Sequence, residues 1–144
     1  MALDFSRLNP LTEAAIGAAI KVHRALGPGL LESAYQECLA FELQRSGMKI
    51  RSNLSLPVAY DGVHIDAGYR LDLVVNESLI LEIKSVKKFA DVHTAQVLTY
   101  LKLSGYPVGL LMNFNVTLLK SGLKRLINPH PAARFLTQTP EQDG

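Results

Sequence analysis

Residues 70–84 read RLDLVVNESLILEIK, and this stretch decides the fold expected for the chain. Apolar residues alternate on both sides of the polar segment Asn76–Ser78, which is typical of two strands joined by a tight hairpin. One buried face would hold six residues: Leu71, Leu73, Val75, Leu79, Leu81 and Ile83. Bringing these six together requires Val75 to lie opposite Leu79, with a three-residue loop between them.

The same register brings charged residues together on the opposite face of the hairpin. Asp72 lies across from Glu82, and Arg70 lies across from Lys84. Opposed carboxylates about 5 Å apart at their Cβ atoms repel each other, so the pair either raises a pKa or recruits a cation. Lys84 projects from the same face as Glu82 because strand side chains alternate with period two. Two acids and a lysine around Mg²⁺ can hydrolyse a phosphodiester, since the metal acidifies water and offsets phosphate charge.

A structural interpretation competes with this chemistry. An acid at a strand end is usually solvated, and a Glu-x-Lys on a strand is usually an ion pair, so Lys84 would merely neutralise Asp72 and Glu82. The apolar context favours the functional interpretation. Burying a charged side chain within strands that look buried on both faces is unfavourable for folding unless the charge has a partner or a function.

The rest of the chain predicts helices packed on a mixed sheet. Asn9-Pro10 predicts the start of a first helix, Gly27-Pro28-Gly29 its end, and Gly47 the end of a second helix. Asp61-Gly62 indicates a tight turn. The expected helices are 10–26, 30–46 and 92–104; the expected strands are 48–53, 56–60, 63–75, 79–86 and 108–113, with 116–127 ambiguous. This order predicts an α/β fold (an α+β mixed sheet) in one domain over residues 1–128, followed by a loosely ordered tail over 129–144.

Composition excludes several classes of protein. The chain has 144 residues, 48% hydrophobic and 19% charged, which suits one globular domain and excludes general disorder. It has no apolar run of about 18 residues and no signal-peptide pattern, so we expect a cytoplasmic protein that does not insert in a membrane. The single cysteine, Cys38, excludes an internal disulfide or a Cys-rich zinc site. Residues 92–140 carry five basic and no acidic residues, which suits either a phosphate-binding face or a mildly basic surface.

Two motifs resemble a known superfamily. Asp72 followed by Glu82-Ile83-Lys84 resembles the D…(D/E)xK signature of the PD-(D/E)xK nucleases, with Leu71 in place of the usual proline. Residues 29–35, GLLESAY, resemble the signature of the bacterial and archaeal GxxExxY family within that superfamily. The similarity runs from about residue 10 to 128. It implies a restriction-endonuclease-like core with a leading helical hairpin, a mixed sheet and a helix after the Glu-x-Lys strand.

The resemblance also implies roles for individual residues. Asp72, Glu82, the carbonyl of Ile83 and Glu32 would bind Mg²⁺, with Mn²⁺ as the alternative ion. Lys84 would orient or activate the attacking water, and Gln96, with Tyr100, would close the site. Independently of the resemblance, Glu32 lies on or beside the inward-facing helical stripe that contains Tyr35. A glutamate facing inward needs a metal ion or a hydrogen-bond donor. The alternative is that Glu32 lies in the first turn only because the helix dipole favours a negative charge there.

The predicted helix over 92–104 has two distinct stripes. Its polar stripe contains His93, Gln96 and Tyr100, and its apolar stripe contains Val92, Ala95 and Leu98. The polar stripe is either a solvated face or, in the functional interpretation, the face that directs Gln96 into the site. We expect His93 to be structural or exposed.

The sequence therefore predicts a metal-dependent nuclease that hydrolyses DNA or RNA, with a non-catalytic nucleic-acid- or protein-binding module of the same fold as the alternative. Arg70, Lys87, Lys88 and Tyr100 are the predicted nucleic-acid contacts, without evident base-specific recognition. A homodimer is a hypothesis, because one site per chain must otherwise act twice to cut both strands of a duplex.

Overall fold

The computed structural model describes residues 2–137. The elements, in chain order, are α1 (Phe5–Leu26), α2 (Glu32–Arg45), β1 (Ile50–Ser55), β2 (Val58–Tyr60), β3 (Val63–Ile65), β4 (Arg70–Val75), β5 (Leu79–Lys84), α3 (Asp91–Ser104), β6 (Val108–Asn113) and β7 (Leu123–Ile127). Short 3₁₀ turns cover Leu119–Gly122 and Ala133–Phe135, so the ambiguous 116–127 segment is a turn and a last strand. Between residues 2 and 137, no helix is both long enough and apolar enough to cross a membrane.

The main sheet has five strands in the order β1-β4-β5-β6-β7. Strands β5 and β6 are parallel, and the other neighbours are antiparallel. Helices α1 and α2 pack on one face of this sheet, and α3 packs on the other, which leaves the central strands buried on both sides. Strands β2 and β3 pair separately as a two-stranded ribbon. This arrangement confirms the predicted mixed α/β fold with its leading helical hairpin.

The predicted register of the β4–β5 hairpin is confirmed. Val75 pairs with Leu79 and Leu73 pairs with Leu81. Leu71 differs from the prediction, because it joins the apolar cluster on the α3 side, whereas Leu73 and Val75 lie on the α1–α2 side. Regular pairing with β5 stops at Leu73, whereas pairing with β1 continues to Arg70.

Helix α1 begins at Phe5, five residues earlier than Asn9-Pro10 predicted, and Pro10 lies inside it. Asn9 is not an N-cap, because it lies inside the helix. Its side-chain oxygen instead accepts a 2.9 Å hydrogen bond from Arg125 on β7. Tertiary contacts compensate for the hydrogen bond that proline cannot make: Leu8 is buried, and the backbone N–H of Asp4 bonds to the carbonyl of Phe135.

Of the two interpretations of the polar stripe on α3, the structure agrees with the one that turns Gln96 toward the sheet. Val92, Ala95 and Leu98, the apolar stripe, are exposed. The buried face contains Val97, Tyr100 and Leu101, with Gln96 half-buried beside them. Gly109 on β6 lets this face approach, because a Cβ there would lie 3.0 Å from Val97 Cγ1. The polar stripe thus turns toward the sheet.

The folded unit continues past residue 128, so the predicted boundary of the loose tail is too early. Residues 129–137 contact both the N-terminus and the turn after α3: Leu136 forms a β-bridge with Leu3, and the Ala132 N–H bonds to the Gly105 carbonyl at 2.9 Å. The remainder of the predicted tail, 138–144, lies outside the described residues.

Candidate active site

The carboxylates of Asp72 and Glu82 meet where β4 and β5 stop pairing. Asp72 Oδ2 accepts a 2.8 Å hydrogen bond from the Ile83 N–H. At this point a side-chain hydrogen bond replaces the backbone pairing between β4 and β5. Glu82 is 3% exposed, and its carboxyl group is close enough to that of Asp72 for the neighbouring acid to raise its pKa. The predicted juxtaposition of these two acids is therefore present in the fold.

The surroundings of Glu82 favour its neutral form in the metal-free protein. Burial raises the pKa of Glu82 to about 9, and the hydrogen bond and negative charge of Asp72 act in the same direction. The Lys84 ammonium, 3.9 Å from Glu82 Oε2, opposes this rise but does not cancel it. At neutral pH these surroundings favour the protonated form of the Glu82 carboxyl over the carboxylate.

The GLLESAY segment ties the α1–α2 loop to the end of β5. Gly29 adopts a φ of 99°, which an L side chain would strain. Glu32 is exposed, and Oε1 accepts a 3.3 Å hydrogen bond from the Ser85 N–H, just past Lys84. The buried Tyr35 hydroxyl donates to the Gly27 carbonyl at 2.6 Å and accepts from the Leu30 N–H at 3.1 Å. The motif thus shapes the loop through its glycine and tyrosine, and brings its glutamate to the sheet end.

Glu32 approaches from the α1–α2 face, whereas Glu82 shares the α3 face with Ile80. The two acids are nevertheless close enough for the charge of Glu32 to contribute to the raised pKa of Glu82. Glu32 is thus an outer member of the site, on the solvent side.

Gln36 is a site residue that sequence reasoning missed. Its Nε2 donates 3.0 Å hydrogen bonds to the Asp72 carbonyl and to Asn53 Oδ1, so it fixes the backbone that carries the first acid. The sequence feature that could have identified Gln36 is its position one residue after Tyr35, which puts it on the side of α2 that faces the sheet.

Gln96 and Tyr100 lie on the buried face of α3, above the acids. Gln96 Nε2 donates to the Tyr100 hydroxyl at 3.0 Å. Burial and the charge of Glu82 raise the pKa of Tyr100, which places its hydroxyl in the field of the acidic pair. The Tyr100 side chain is 6% exposed, too little for the direct nucleic-acid contact that the sequence predicted. His93 is structural: its Nδ1 accepts from the Ala90 N–H and caps α3.

A family model described as the PD-(D/E)XK nuclease superfamily matches residues 9–126 of the chain. The chain belongs to the PD-(D/E)XK nuclease superfamily. No curated protein and no solved structure matches the sequence.

The predicted basic contacts of this nuclease-superfamily domain differ in their surroundings. Lys87 and Lys88 are exposed directly after β5. Arg70 does not face Lys84, because β4 and β5 no longer pair there. Its guanidinium instead donates to the Tyr69 carbonyl at 2.9 Å and lies 3.9 Å from Asp66. Arg70 therefore belongs to the β1 side of the site, with its charge partly offset.

The donor set of this PD-(D/E)XK domain fits a hard divalent cation. Two carboxylates in contact supply the oxygen ligands that Mg²⁺ prefers, and Mg²⁺ is usually held by one or two carboxylates together with waters and phosphate. Within residues 2–137, no group of three His, Cys, Asp or Glu side chains is arranged to hold an ion. The Asp72–Glu82 pair is thus the part of the predicted ligand set that the fold assembles.

Proposed function

We propose that this chain is a metal-dependent nuclease that hydrolyses phosphodiester bonds in DNA or RNA. The observation that supports it is the contact between the Asp72 and Glu82 carboxyl groups, with the Lys84 ammonium 3.9 Å from Glu82, in a chain that belongs to a nuclease superfamily. Burying two acids together is unfavourable for folding, so a purely structural purpose for the pair is poorly supported.

Asp72 and Glu82 would hold Mg²⁺, or Mn²⁺ as the alternative, together with the Ile83 carbonyl and with Glu32 on the solvent side. When bound, the ion would acidify a water and offset negative charge on the phosphate. Asp72 is held by the Ile83 N–H and by the Gln36 bond to its backbone, so its carboxylate is oriented before any ligand arrives.

The remaining site residues would act on the water and the phosphate. Lys84, whose side chain is 16% exposed, would orient the attacking water and stabilise the negative charge that develops during attack. Gln96, held by Tyr100, would cover the site from α3. Lys87 and Lys88 would bind phosphates next to the scissile bond without recognising a base sequence.

We also propose that the chain is a member of the GxxExxY family within the superfamily. The structural roles of the motif support this: Gly29 has a left-handed backbone, Glu32 bonds the strand end, and Tyr35 closes the loop between the helices. The three motif residues thus act on one structural feature, the junction of α2 with the end of β5.

A cleavage assay tests the proposed function. Purified protein is incubated with plasmid and with labelled single- and double-stranded DNA and RNA, in Mg²⁺, Mn²⁺ or EDTA. We expect metal-dependent cleavage that Asp72→Asn, Glu82→Gln and Lys84→Ala each reduce by about 10²-fold or more. Lys49→Ala is the matched control, because Lys49 is an exposed lysine at the opposite end of the sheet, before β1.

Two outcomes would contradict this function. Cleavage that survives Asp72→Asn and Lys84→Ala would place the activity elsewhere or in a contaminant. Binding of nucleic acid without cleavage in any of the metals would favour the alternative, a non-catalytic module that retains the fold.

A further inference from the structure

Tyr69 presents an exposed aromatic ring three residues before Asp72. It is 46% exposed, although it directly precedes β4, the strand that carries Asp72. Its ring centroid lies 6.2 Å from that of the buried Tyr100, whose hydroxyl is in the field of Glu82. The backbone under the ring is held, because the Tyr69 carbonyl accepts from the Leu56 N–H at 3.0 Å and from Arg70 at 2.9 Å.

Tyr69 ends a segment that is apolar and acidic, residues 56–69, which contains the β2–β3 ribbon. This segment has no lysine or arginine and contains Asp61 and Asp66. It projects from the end of the sheet where the acids lie, because Ser55 of β1 pairs with Arg70 of β4 at its base. Its large apolar side chains are exposed: Tyr60 71%, Val63 58% and Ile65 45%. The segment therefore offers flat apolar contacts and no lysine or arginine of its own to phosphates, although the adjacent Arg70 lies 3.9 Å from Asp66.

Positive charge lies on the other side of the acids. Lys87 and Lys88 are in the segment after β5. That segment is anchored toward β6, because the Val86 N–H and carbonyl both bond to the side chain of Asn113. A nucleic-acid strand that crosses the site would therefore direct phosphates to the lysines and bases to the ribbon.

This division of charge favours a substrate with unpaired nucleotides. In a duplex the base faces are already stacked, and the phosphates of the second strand would meet the acidic ribbon. An unpaired base has a free π face, and stacking on an aromatic side chain is the usual contact for single strands. We infer that Tyr69 stacks an unpaired base next to the scissile phosphate, which makes single-stranded nucleic acid or an unpaired flap the substrate class; this inference rests on the proposed function.

Fluorescence of 2-aminopurine tests the stacking directly and does not require turnover. Short single-stranded and duplex oligonucleotides that carry the probe are titrated with the protein in Ca²⁺, and binding and quenching are read together. We expect wild-type protein to bind the single strand at least tenfold more tightly and to quench its probe. We expect Tyr69→Leu, which keeps apolar bulk but loses the ring, to weaken single-strand binding about tenfold and to abolish the quenching.

The variants separate stacking from other effects. Tyr69→Phe keeps the ring and should retain binding and quenching, which distinguishes stacking from a hydroxyl contact. Phe41→Leu is the matched control, because it removes an exposed aromatic ring from α2, outside the ribbon, and it should bind like wild type. Thermal unfolding of each variant verifies that it is folded.

The outcomes distinguish this inference from the proposed function. If wild type cleaves duplex and single strand equally and Tyr69→Leu binds normally, the inference is wrong while the nuclease function stands. If wild type binds and cleaves no nucleic acid, both are wrong. Quenching by wild type that Tyr69→Leu loses and Phe41→Leu retains supports the inference, even for a module that does not cleave.

Discussion

Replacing Glu82 by glutamine should stabilise the metal-free protein while strongly reducing the proposed nuclease activity. The glutamic acid has a pKa of about 9 in the folded chain against 4.5 as a free side chain. The folded state therefore keeps a proton that the unfolded state releases between these values, and the stability of the metal-free protein falls as pH rises through that window. Glutamine cannot ionise, and its amide N–H can still donate to Asp72.

The magnitude follows from linkage. Each pH unit above 4.5 costs the wild type about 1.4 kcal/mol, which amounts to roughly 3 kcal/mol at pH 7 as an upper bound. Glu82→Gln removes this penalty, so we expect its free energy of unfolding in EDTA at pH 7 to exceed that of wild type by roughly 1–3 kcal/mol. The corresponding rise in melting temperature is about 3–10 °C for a domain of this size.

Urea denaturation in EDTA at several pH values between 5 and 8.5 measures this difference. The gap between variant and wild type should widen as pH rises, with the slope of unfolding free energy against urea unchanged. Glu13→Gln is the control, because Glu13 is exposed on α1 and its replacement should shift stability by less than about 0.5 kcal/mol. A Glu82→Gln protein that is less stable than wild type, or a gap that does not depend on pH, would refute the reasoning.

Three further predictions concern the metal and the framework of the site. Mg²⁺ at 100 times its dissociation constant should raise the unfolding free energy of wild type by about 2.7 kcal/mol over EDTA, and should not do so for Glu82→Gln; equal stabilisation of both would contradict a metal at this acid. Tyr35→Phe should cost about 1–3 kcal/mol in urea denaturation, because it leaves the Gly27 carbonyl and the Leu30 N–H without their buried partner; an unchanged midpoint would contradict that role. Gly122→Ala should lower the free energy of unfolding by about 1–3 kcal/mol in the same assay, since the new Cβ would collide with the Asn113 carbonyl. An unchanged free energy of unfolding would show that the turn can shift to accommodate the methyl group.

The juxtaposition of Asp72 with Glu82 could be predicted from sequence because it depends on local rules. A strand alternates with period two, and the three residues between Val75 and Leu79 allow one hairpin register that keeps the apolar residues together. Lys84 follows from the same period. These three site residues therefore needed no knowledge of the other elements.

The faces of the helices were less certain, because several stripes of α3 are apolar enough to be buried. The sequence left open which stripe of α3 is solvated, and the fold buries Val97 and leaves Val92 and Leu98 exposed. The deciding contact is with Gly109 on β6, which lies in another part of the sequence and leaves room for Val97. Similarly, the start of α1 depends on Phe135, which bonds to Asp4 across the chain.

The sequence by itself determined the two acids, the lysine and the strand register, since neighbours in one hairpin decide them through alternation and turn length. Only the tertiary structure decided that Gln36 supports the Asp72 backbone and that Tyr69 lies against Tyr100. Those contacts join elements that are distant in the chain, and they depend on how helices cross the sheet. Side-chain periodicity gives the face of an element, but long-range packing decides which other element that face meets.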